Sequence, residues 1–285
     1  MSDITRRELG TLTMGTAGAL ALGAAPLRAA PLKGRLKQSV CRWCYGKIPL
    51  PEFFKAVADI GLPAVDLLSV DDWTIAKRDF GLVCSMGQAP GNSIPDGLND
   101  PKNHATIIDG LAKTLPIAAR DGVPNVITFF GNRRGMPLEQ GIANSVPCLQ
   151  QIAKIAEAEG VTVCVELLNS KVNHPDYIGD HTSYGVEILK RVGSPRIKLL
   201  YDIYHMQIME GDVIRTITDN WDYIGHFHTG GVPGRNELDD TQELQWASIA
   251  RAIADKGYTG YFAHEFIPTR DPFTSLREAV SLCDV

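Results

Sequence analysis

Several features that would define other classes of protein are missing from this 285-residue chain. No stripe of basic residues with interleaved aromatics is present and the net charge is −5, which argues against a nucleic-acid partner. No low-complexity tract and no long block of like charge marks a disordered region. Beyond the first 30 residues no apolar run reaches membrane length, so we expect that part to be soluble. What remains, at 44% hydrophobic and 21% charged, is an ordinary globular composition.

The chain has six cysteines, and only one pair has a spacing that suggests a function. Cys41 and Cys44 are separated by two residues, as in redox and zinc sites, but no second such pair follows. The pair also lies in an apolar run, which favours buried thiols over a zinc site. Whether Cys41 and Cys44 form a disulfide stays open at this point.

From Lys37 onward, short apolar runs alternate with longer amphipathic ones. The short runs predict eight strands, at residues 38–44, 64–68, 82–86, 125–130, 161–167, 197–202, 223–228 and 260–266. Helical spacing links three sets of apolar residues between them: Ile107, Ile108, Leu111 and Leu115; Ile142, Val146, Leu149, Ile152 and Ala156; and Met209, Val213, Ile214 and Ile217.

Turn and capping residues fall at the boundaries of these segments. Six glycines separate a helical pattern from the next strand, as expected for helix C-termini, at positions 61, 81, 122, 160, 193 and 257. Asp100-Pro101 and Asp271-Pro272 are predicted helix starts. Eight strand–helix repeats predict one α/β domain, a (β/α)8 or TIM barrel, over residues 37–285. A doubly wound sheet is the alternative, but residues 41–46 lack its glycine-rich phosphate loop.

Four metal-capable side chains close apolar runs in the second half of the chain: Glu166, Asp202, His228 and Glu265, which are 36, 26 and 37 residues apart. A charged group at the end of a buried strand is costly unless it is paired or binds a metal. These residues end predicted strands five to eight, and a barrel gathers its functional groups at the carboxyl ends of its strands. We therefore predict one shared site. His226 lies on the same strand face as His228, and we expect it one layer deeper in the core.

This set of three carboxylates and one imidazole is a hard, mostly oxygen donor set. It suits Mn²⁺, Mg²⁺ or Co²⁺ with positions left for substrate or water, whereas structural zinc prefers cysteine. Two glutamates at such a site suggest proton transfer next to a carbonyl, in which one group removes a proton and another returns it. The metal would hold substrate oxygens and stabilise an enediolate. The alternative for each residue alone is a helix cap or an ion pair with arginine.

Several segments resemble one enzyme family. Residues 201–211 (YDIYHMQIMEG) are similar to the signature of the hydroxypyruvate isomerase family, within the xylose isomerase-like TIM barrels. Residues 165–169 (VELLN), 225–228 (GHFH) and 264–266 (HEF) resemble the segments at its strands five, seven and eight. The similarity extends over about residues 38–280 and is strongest from 161 to 266.

The resemblance implies roles for individual residues. Glu166 and Glu265 are implied to be the acid–base pair as well as metal ligands, and Asp202 and His228 further ligands.

Three substrate-binding residues are also implied. His205 and Arg235 match substrate-binding positions of related ketose 3-epimerases, and Asn169 matches an asparagine three residues after the strand-five glutamate. A histidine bonded to backbone at a helix start and a solvated loop arginine are the alternative interpretations.

The leading hypothesis is a metal-dependent aldose–ketose isomerase that interconverts hydroxypyruvate and tartronate semialdehyde, or acts on a similar small hydroxy-carbonyl compound. Its substrate carboxylate calls for a cation, and the candidates near strand ends are Arg42, Arg133, Arg134, Lys171 and Arg235. Two departures weaken the substrate assignment. His228 stands where hydroxypyruvate isomerases can carry glutamine, and residues 87–92 lack the family's histidine-containing segment.

Other readings of the same site remain open. A ketose 3-epimerase or keto-sugar lyase would use the same metal with a larger sugar, and a sugar-binding barrel would use it without catalysis. The resemblance also allows a homo-oligomer.

The first 30 residues differ from the rest. Residues 5–9 (TRREL) precede an uncharged run rich in glycine and alanine from 10 to 25, followed by Pro26 and Ala29-Ala30. This resembles a twin-arginine export signal, which predicts a signal peptide over residues 1–30 and a periplasmic mature enzyme. The alternative is an N-terminal extension of a cytoplasmic protein.

Overall fold

A closed barrel of eight parallel strands organises the computed structural model of the chain, which describes residues 32–285. The strands pair in chain order, and the barrel closes where β1 pairs with β8. They are β1 Lys37–Cys41, β2 Ala64–Leu68, β3 Val83–Gly87, β4 Asn125–Phe129, β5 Thr162–Glu166, β6 Ile197–Asp202, β7 Ile224–Thr229 and β8 Tyr261–His264. The TIM-barrel prediction is therefore confirmed. The predicted signal peptide at residues 1–30 lies outside the described residues, and the division of the chain at this point stays a prediction.

Helices follow the strands around the outside of the barrel. Within residues 32–285 they are α1 Leu50–Ile60, α2 Val70–Phe80, α3 His104–Asp121, α4 Leu138–Glu159, α5 Thr182–Val192, α6 Ile203–Met209, α7 Val213–Asp219, α8 Trp246–Asp255 and α9 Pro272–Cys283. Short 3-10 turns occupy Arg42–Tyr45, Pro101–Asn103 and Trp221–Tyr223. Among these residues no helix combines the length and apolar character needed to cross a bilayer.

The predicted boundary residues act as expected. All six predicted glycines have a positive φ, between 67° and 93°, which a residue without Cβ adopts at least cost. Asp271 accepts the backbone N–H of Thr274 and so caps α9. Asp100 in the same way accepts the N–H of Lys102, although it opens a 3-10 turn before α3. These local signals mark where the helices begin and end, and therefore where the strands lie between them.

Two segments differ from the sequence prediction. The first strand, expected to reach residue 44, ends at Cys41 because the chain turns into the 3-10 segment Arg42–Tyr45. The helical pattern from Met209 to Ile217 is divided between α6 and α7. Gly211 and Asp212 break it, with φ of 66° and 41°, values that no right-handed helix accommodates.

Part of the interior of the barrel below its carboxyl end is filled by apolar side chains. Met86, Ile127, Cys164 and Leu200 form a separate buried cluster there. Cys164 and Leu200 are two residues before Glu166 and Asp202, so strand alternation directs those carboxylates inward one layer higher. This apolar cluster thus forms part of the floor beneath the predicted site.

Candidate metal and active site

The four strand-end residues converge at the carboxyl end of the barrel. Glu166 and Asp202 are the last residues of β5 and β6, His228 is the penultimate residue of β7, and Glu265 follows β8 directly. One ligand atom from each lies within 4.8 Å of the others. Asp202 and His228 are completely buried, whereas Glu166 and Glu265 keep 5% and 3% of their surface. The structure therefore brings the predicted quartet together, and the roles of its members stay predictions.

Arg235 neutralises part of this acidic cluster. Its Nη2 atom lies 3.0 Å from Asp202 Oδ2 and donates a second bond to Glu265 Oε2. The guanidinium lies between the rings of Trp43 and Tyr204, at 5.3 and 5.2 Å from their centroids. Stacking between two aromatic rings fixes the plane of the group and favours arginine over lysine. Arg235 is thus a buried part of the site, not a solvated loop residue.

Burial and neighbouring charges shift the pKa values of the carboxyl groups in opposite directions. Burial raises the pKa of Asp202 to about 8, although the nearby Arg235 opposes the shift. Burial also raises the pKa of Glu166, and the nearby His228 opposes the shift. For Glu265 burial again acts upward, but Arg235 and His228 together lower its pKa well below the ordinary range. The site holds more carboxylates than its own cations can neutralise.

The donor set fits a divalent metal. The Nδ1 atom of His228 is buried without a hydrogen-bond partner, and it lies 2.7 Å from Glu265 Oε2 and 3.4 Å from Glu166 Oε1. Burial disfavours the charged form of His228, but its anionic neighbours, Glu265 and Asp66 among them, raise its pKa well above the ordinary value, so Nδ1 shares either a proton or a metal ion with the facing carboxylates. Three carboxylates and one imidazole suit Mn²⁺, Mg²⁺ or Co²⁺. Residues Glu166, Asp202, His228 and Glu265 would hold it.

A cavity of about 410 Å³ opens above the quartet. Glu166 and Glu265 line it together with Arg235, whereas Asp202 and His228 do not. Apolar side chains form much of the remaining wall: Leu67, Ala89, Ile94, Ile127, Phe129 and Leu168. Two carboxylates and one guanidinium therefore face a mostly apolar chamber.

His205 is completely buried beside Asp202 and does not line the cavity. Its Nδ1 accepts the backbone N–H of Asn169 at 3.0 Å and faces the side-chain Nδ2 of Asn169 at 2.6 Å. Because Nδ1 accepts, the ring proton is on Nε2, which is buried without a hydrogen-bond partner, 3.6 Å from Asp202 Oδ2. Burial lowers the pKa of His205 well below its ordinary value, so the ring is a neutral donor. The backbone N–H of His205 donates to Asp202 Oδ1 at 3.1 Å.

Asn169 lies behind this histidine and is not part of the cavity wall. Its side chain is fully buried, with Nδ2 donating to Asn173 Oδ1 and Oδ1 accepting the N–H groups of residues 172 and 173. The structure thus places it where it orients His205, rather than facing the cavity as a substrate-binding residue would.

The other candidate cations serve the loops. Arg42 donates to the carbonyl oxygens of Tyr45 and Ile48, and Lys171 donates to those of Ile208 and Met209. The remaining two, Arg133 and Arg134, contact Met136 O and Asp96. Of the five cations considered from the sequence, only Arg235 lines the cavity.

Sequence reasoning missed two side chains that contact the quartet. The indole N–H of Trp43 donates to Glu265 Oε1 at 2.6 Å, although the side chain belongs to the first 3-10 turn. Asp66, in the middle of β2, lies 3.1 Å from His228 Nε2. The only signal for Asp66 was one acidic residue within the apolar run AVDLL.

The structure also shows whether the two closely spaced cysteines form a disulfide. Cys41 and Cys44 are free thiols. Burial raises the pKa of the Cys41 thiol well above its ordinary value, which keeps it protonated.

A TIM barrel with a buried acidic and histidine-containing cluster at its strand ends is an enzyme scaffold. A family described as "Xylose isomerase-like TIM barrel" matches residues 54–283, and the chain belongs to that family. Over 246 residues it is 26% identical to hydroxypyruvate isomerase of Escherichia coli, covering 82% of this chain and 93% of that protein. Over 231 residues it is 35% identical to D-psicose 3-epimerase of Agrobacterium fabrum, covering 73% and 76% of the two chains. The chain is accordingly an isomerase, in the broad sense that includes epimerases.

The fold is also shared with more distant structures. The AP endonuclease of family 2 from Brucella melitensis superimposes with a TM-score of 0.76 at 22% identity, covering 85% of this chain and 97% of that one. Such a match at low identity shows the barrel and not the reaction.

Proposed function

We propose that this isomerase uses a divalent metal, Mn²⁺, Mg²⁺ or Co²⁺, to interconvert hydroxypyruvate and tartronate semialdehyde or a similar small hydroxy-carbonyl compound. One observation carries the proposal. Of the four clustered ligand-type residues, only Glu166 and Glu265 line the cavity, while Asp202 and His228 are completely buried. This separation fits two glutamates that exchange protons with a substrate and two residues that mainly hold an ion.

The side chains divide the work of proton transfer. One glutamate removes the proton from the carbon beside the carbonyl, and an enediol forms. A carboxyl group returns a proton to the neighbouring carbon, while the hydroxyl proton moves to the former carbonyl oxygen. A bound metal would hold the two substrate oxygens and stabilise the negative charge that develops on them. Glu166 ends β5 and Glu265 directly follows β8, so the two glutamates that line the cavity come from different strand ends.

Arg235 and His205 would orient the substrate. The guanidinium lines the cavity and is fixed between two rings, so it is ready to pair with a substrate carboxylate. The neutral His205 offers its Nε2 proton to a substrate oxygen, because Asn169 occupies the other nitrogen.

The direct test begins with the metal content of the purified protein. The protein is then loaded with Mn²⁺, Mg²⁺ or Co²⁺ and incubated with hydroxypyruvate, and tartronate semialdehyde is followed by NMR. Turnover that disappears on metal removal and returns on reloading would support the proposal. Metal-loaded protein that leaves hydroxypyruvate unchanged would reject this substrate.

A second candidate is epimerisation of a larger ketose at C3, or elimination from a keto-sugar, at the same site. The cavity of about 410 Å³ is in the size range that encloses ligands larger than a three-carbon acid. Incubation with a panel of ketoses in D₂O would label the exchanged carbon for an epimerase. Label at C3 without reaction of hydroxypyruvate would favour this candidate. Ligand binding without exchange or turnover on any compound would favour a binding barrel.

We also propose that residues 1–30 direct export to the periplasm by the twin-arginine route, on the strength of Arg6-Arg7 and the uncharged run that follows. Replacing both arginines by lysine should leave the protein in the cytoplasm, as measured by cell fractionation. Unchanged periplasmic recovery would contradict the assignment.

A further inference from the structure

A second carboxylate site lies one layer below the quartet, deep in the barrel. Asp66 on β2 is completely buried, and so are the four side chains that surround its carboxylate. They come from three other strands: Cys41 from β1, Ser85 from β3, and His226 and His228 from β7. No proposed step of the reaction uses this group, so a buried charge here needs a reason of its own.

The neighbours of Asp66 present hydrogen-bond donors to it. Ser85 Oγ donates to Oδ2 at 2.7 Å, and the Cys41 thiol donates to Oδ1 at 3.7 Å. His228 Nε2 lies 3.1 Å from Oδ1, and His226 Nε2 lies 2.9 Å from Oδ2. An ionised carboxylate can only accept, so a histidine nitrogen paired with it must carry the proton.

The requirement for a proton on Nε2 affects the metal site through the imidazole ring of His228. With the proton on Nε2, the lone pair of His228 is on Nδ1, and Nδ1 is the atom that faces Glu166 and Glu265. Metal-binding histidines ordinarily donate their second N–H to a carboxylate or carbonyl, which fixes both tautomer and ring orientation. The Cys41 sulfur, 3.8 Å from the same Nε2, is a weaker and uncharged partner.

We infer that Asp66 is a positioning residue that holds His228 with Nε2 protonated and Nδ1 directed at the metal. The inference rests on the metal site of the proposed function. It extends that site by one residue from the first half of the chain, and it assigns the coordinating atom of His228. His226 Nε2 lies 2.9 Å from the other carboxylate oxygen without a hydrogen bond, whereas Ser85 and Cys41 donate to the same carboxylate.

Metal affinity is the first readout of this role. Titration calorimetry with Mn²⁺ would compare the wild type with Asp66→Ala and with Ser85→Ala, a matched control that removes a bond to the same carboxylate but leaves His228 paired. We expect Asp66→Ala to weaken Mn²⁺ binding about 10–100-fold. Ser85→Ala should change it less than about threefold, because the hydrogen bond between His228 and Asp66 remains. Asp66→Asn, which keeps the side-chain volume, replaces the alanine variant if that variant does not fold.

The second readout is the coordinating atom itself. Wild-type protein labelled with ¹⁵N-histidine and loaded with diamagnetic Zn²⁺ should show, in long-range ¹H–¹⁵N spectra, metal on Nδ1 and a proton on Nε2 of His228. A spectrum with metal on Nε2 would overturn the inference. So would an Asp66→Ala protein that is folded and binds Mn²⁺ as tightly as the Ser85→Ala control.

The two proposals fail in different ways. Mn²⁺ binding that depends on Asp66, without turnover of any substrate, would reject the proposed reaction and leave the positioning role standing. Turnover together with metal binding that does not depend on Asp66 would support the proposed reaction and reject the positioning role. A wild-type protein that binds no divalent metal would overturn both.

Discussion

The strands in the two halves of the barrel end in residues of different chemical character. β5 to β8 end in or next to Glu166, Asp202, His228 and Glu265, whereas β1 to β4 end in Cys41, Leu68, Gly87 and Phe129. The first half supplies apolar wall, together with polar side chains, Trp43 and Asp66 among them, that contact residues of the second half. The difference indicates that one half holds the reacting groups and the other shapes and orients them. Substitutions should therefore abolish the reaction in one half and weaken it in the other.

The largest effect is expected at the two glutamates that line the cavity. Glu166→Gln and Glu265→Gln each keep the size of the side chain but remove the group that accepts a proton. We expect kcat/KM to fall about 10²–10⁴-fold for either change. The measurement is steady-state kinetics on the substrate found in the panel, with metal content determined for each variant.

Glu52→Gln gives the matched control, because Glu52 is an exposed glutamate in the first turn of α1. It should retain wild-type kinetics. If either cavity variant did the same while fully loaded with metal, the acid–base assignment would be wrong.

A smaller loss is expected for Arg235→Lys. Lysine keeps the positive charge but cannot bridge Asp202 and Glu265 while lying flat between two rings. Loss of a charge-assisted bond worth about 1.5–3 kcal/mol corresponds to about a 10–150-fold fall in kcat/KM. Kinetics should show much of this loss in KM if Arg235 also binds a substrate carboxylate, and a neutral ketose should then be less affected than hydroxypyruvate.

In the first half, Trp43→Phe should have a more modest effect. The change removes the indole N–H bond to Glu265 Oε1 but keeps an aromatic ring beside Arg235. We expect kcat/KM to fall about 3–10-fold, as for one hydrogen bond of about 1 kcal/mol.

Trp73→Phe removes a comparable bond, from the Trp73 indole to Asp121 Oδ2 at 3.0 Å, and Trp73 does not line the cavity. It should lower stability without changing kcat/KM. Equal kinetic losses in the two tryptophan variants would show that the Trp43 effect is not specific to the site.

The smallest effect on the reaction is expected at Glu237, which joins the loop after β7 to the loop after β8. Its carboxylate accepts bonds from the Thr269 N–H and hydroxyl and from Ser275 Oγ. Burial alone would raise its pKa, but these donors lower it to about 2. The stabilisation is therefore complete above the ordinary pKa of about 4.5 and is lost as the pH falls toward 2.

Glu237→Gln should accordingly lower the free energy of unfolding by about 1–3 kcal/mol near neutral pH. The gap between wild type and variant should narrow as the pH falls below 4.5, as measured by denaturant titration at several pH values. A gap independent of pH would mean that the charge of Glu237 does not contribute.

The strand-end pattern located all four members of the quartet, for reasons that particular residues make clear. The predicted bounds of β6, residues 197–202, are those of the structure, so Asp202 falls at the strand end as expected. Asp66 could not be found in this way, because it lies within its strand and its histidine partner is 162 residues away. Trp43 was hidden by a first strand predicted to run through residue 44, which would have put it in a ladder instead of a turn. Local signals determine where elements end, whereas contacts between distant strands depend on closure of the barrel.

The carboxylate of Asp202 takes part both in a helix cap and in an ion pair. Asp202 Oδ1 caps α6 through the N–H of His205, while Oδ2 pairs with Arg235. A substitution that keeps the charge but lengthens the side chain, Asp202→Glu, would therefore move the start of a helix as well as a ligand. Evolution of new substrate preference in this barrel has little freedom at that position, and we expect variation to concentrate instead in the apolar wall.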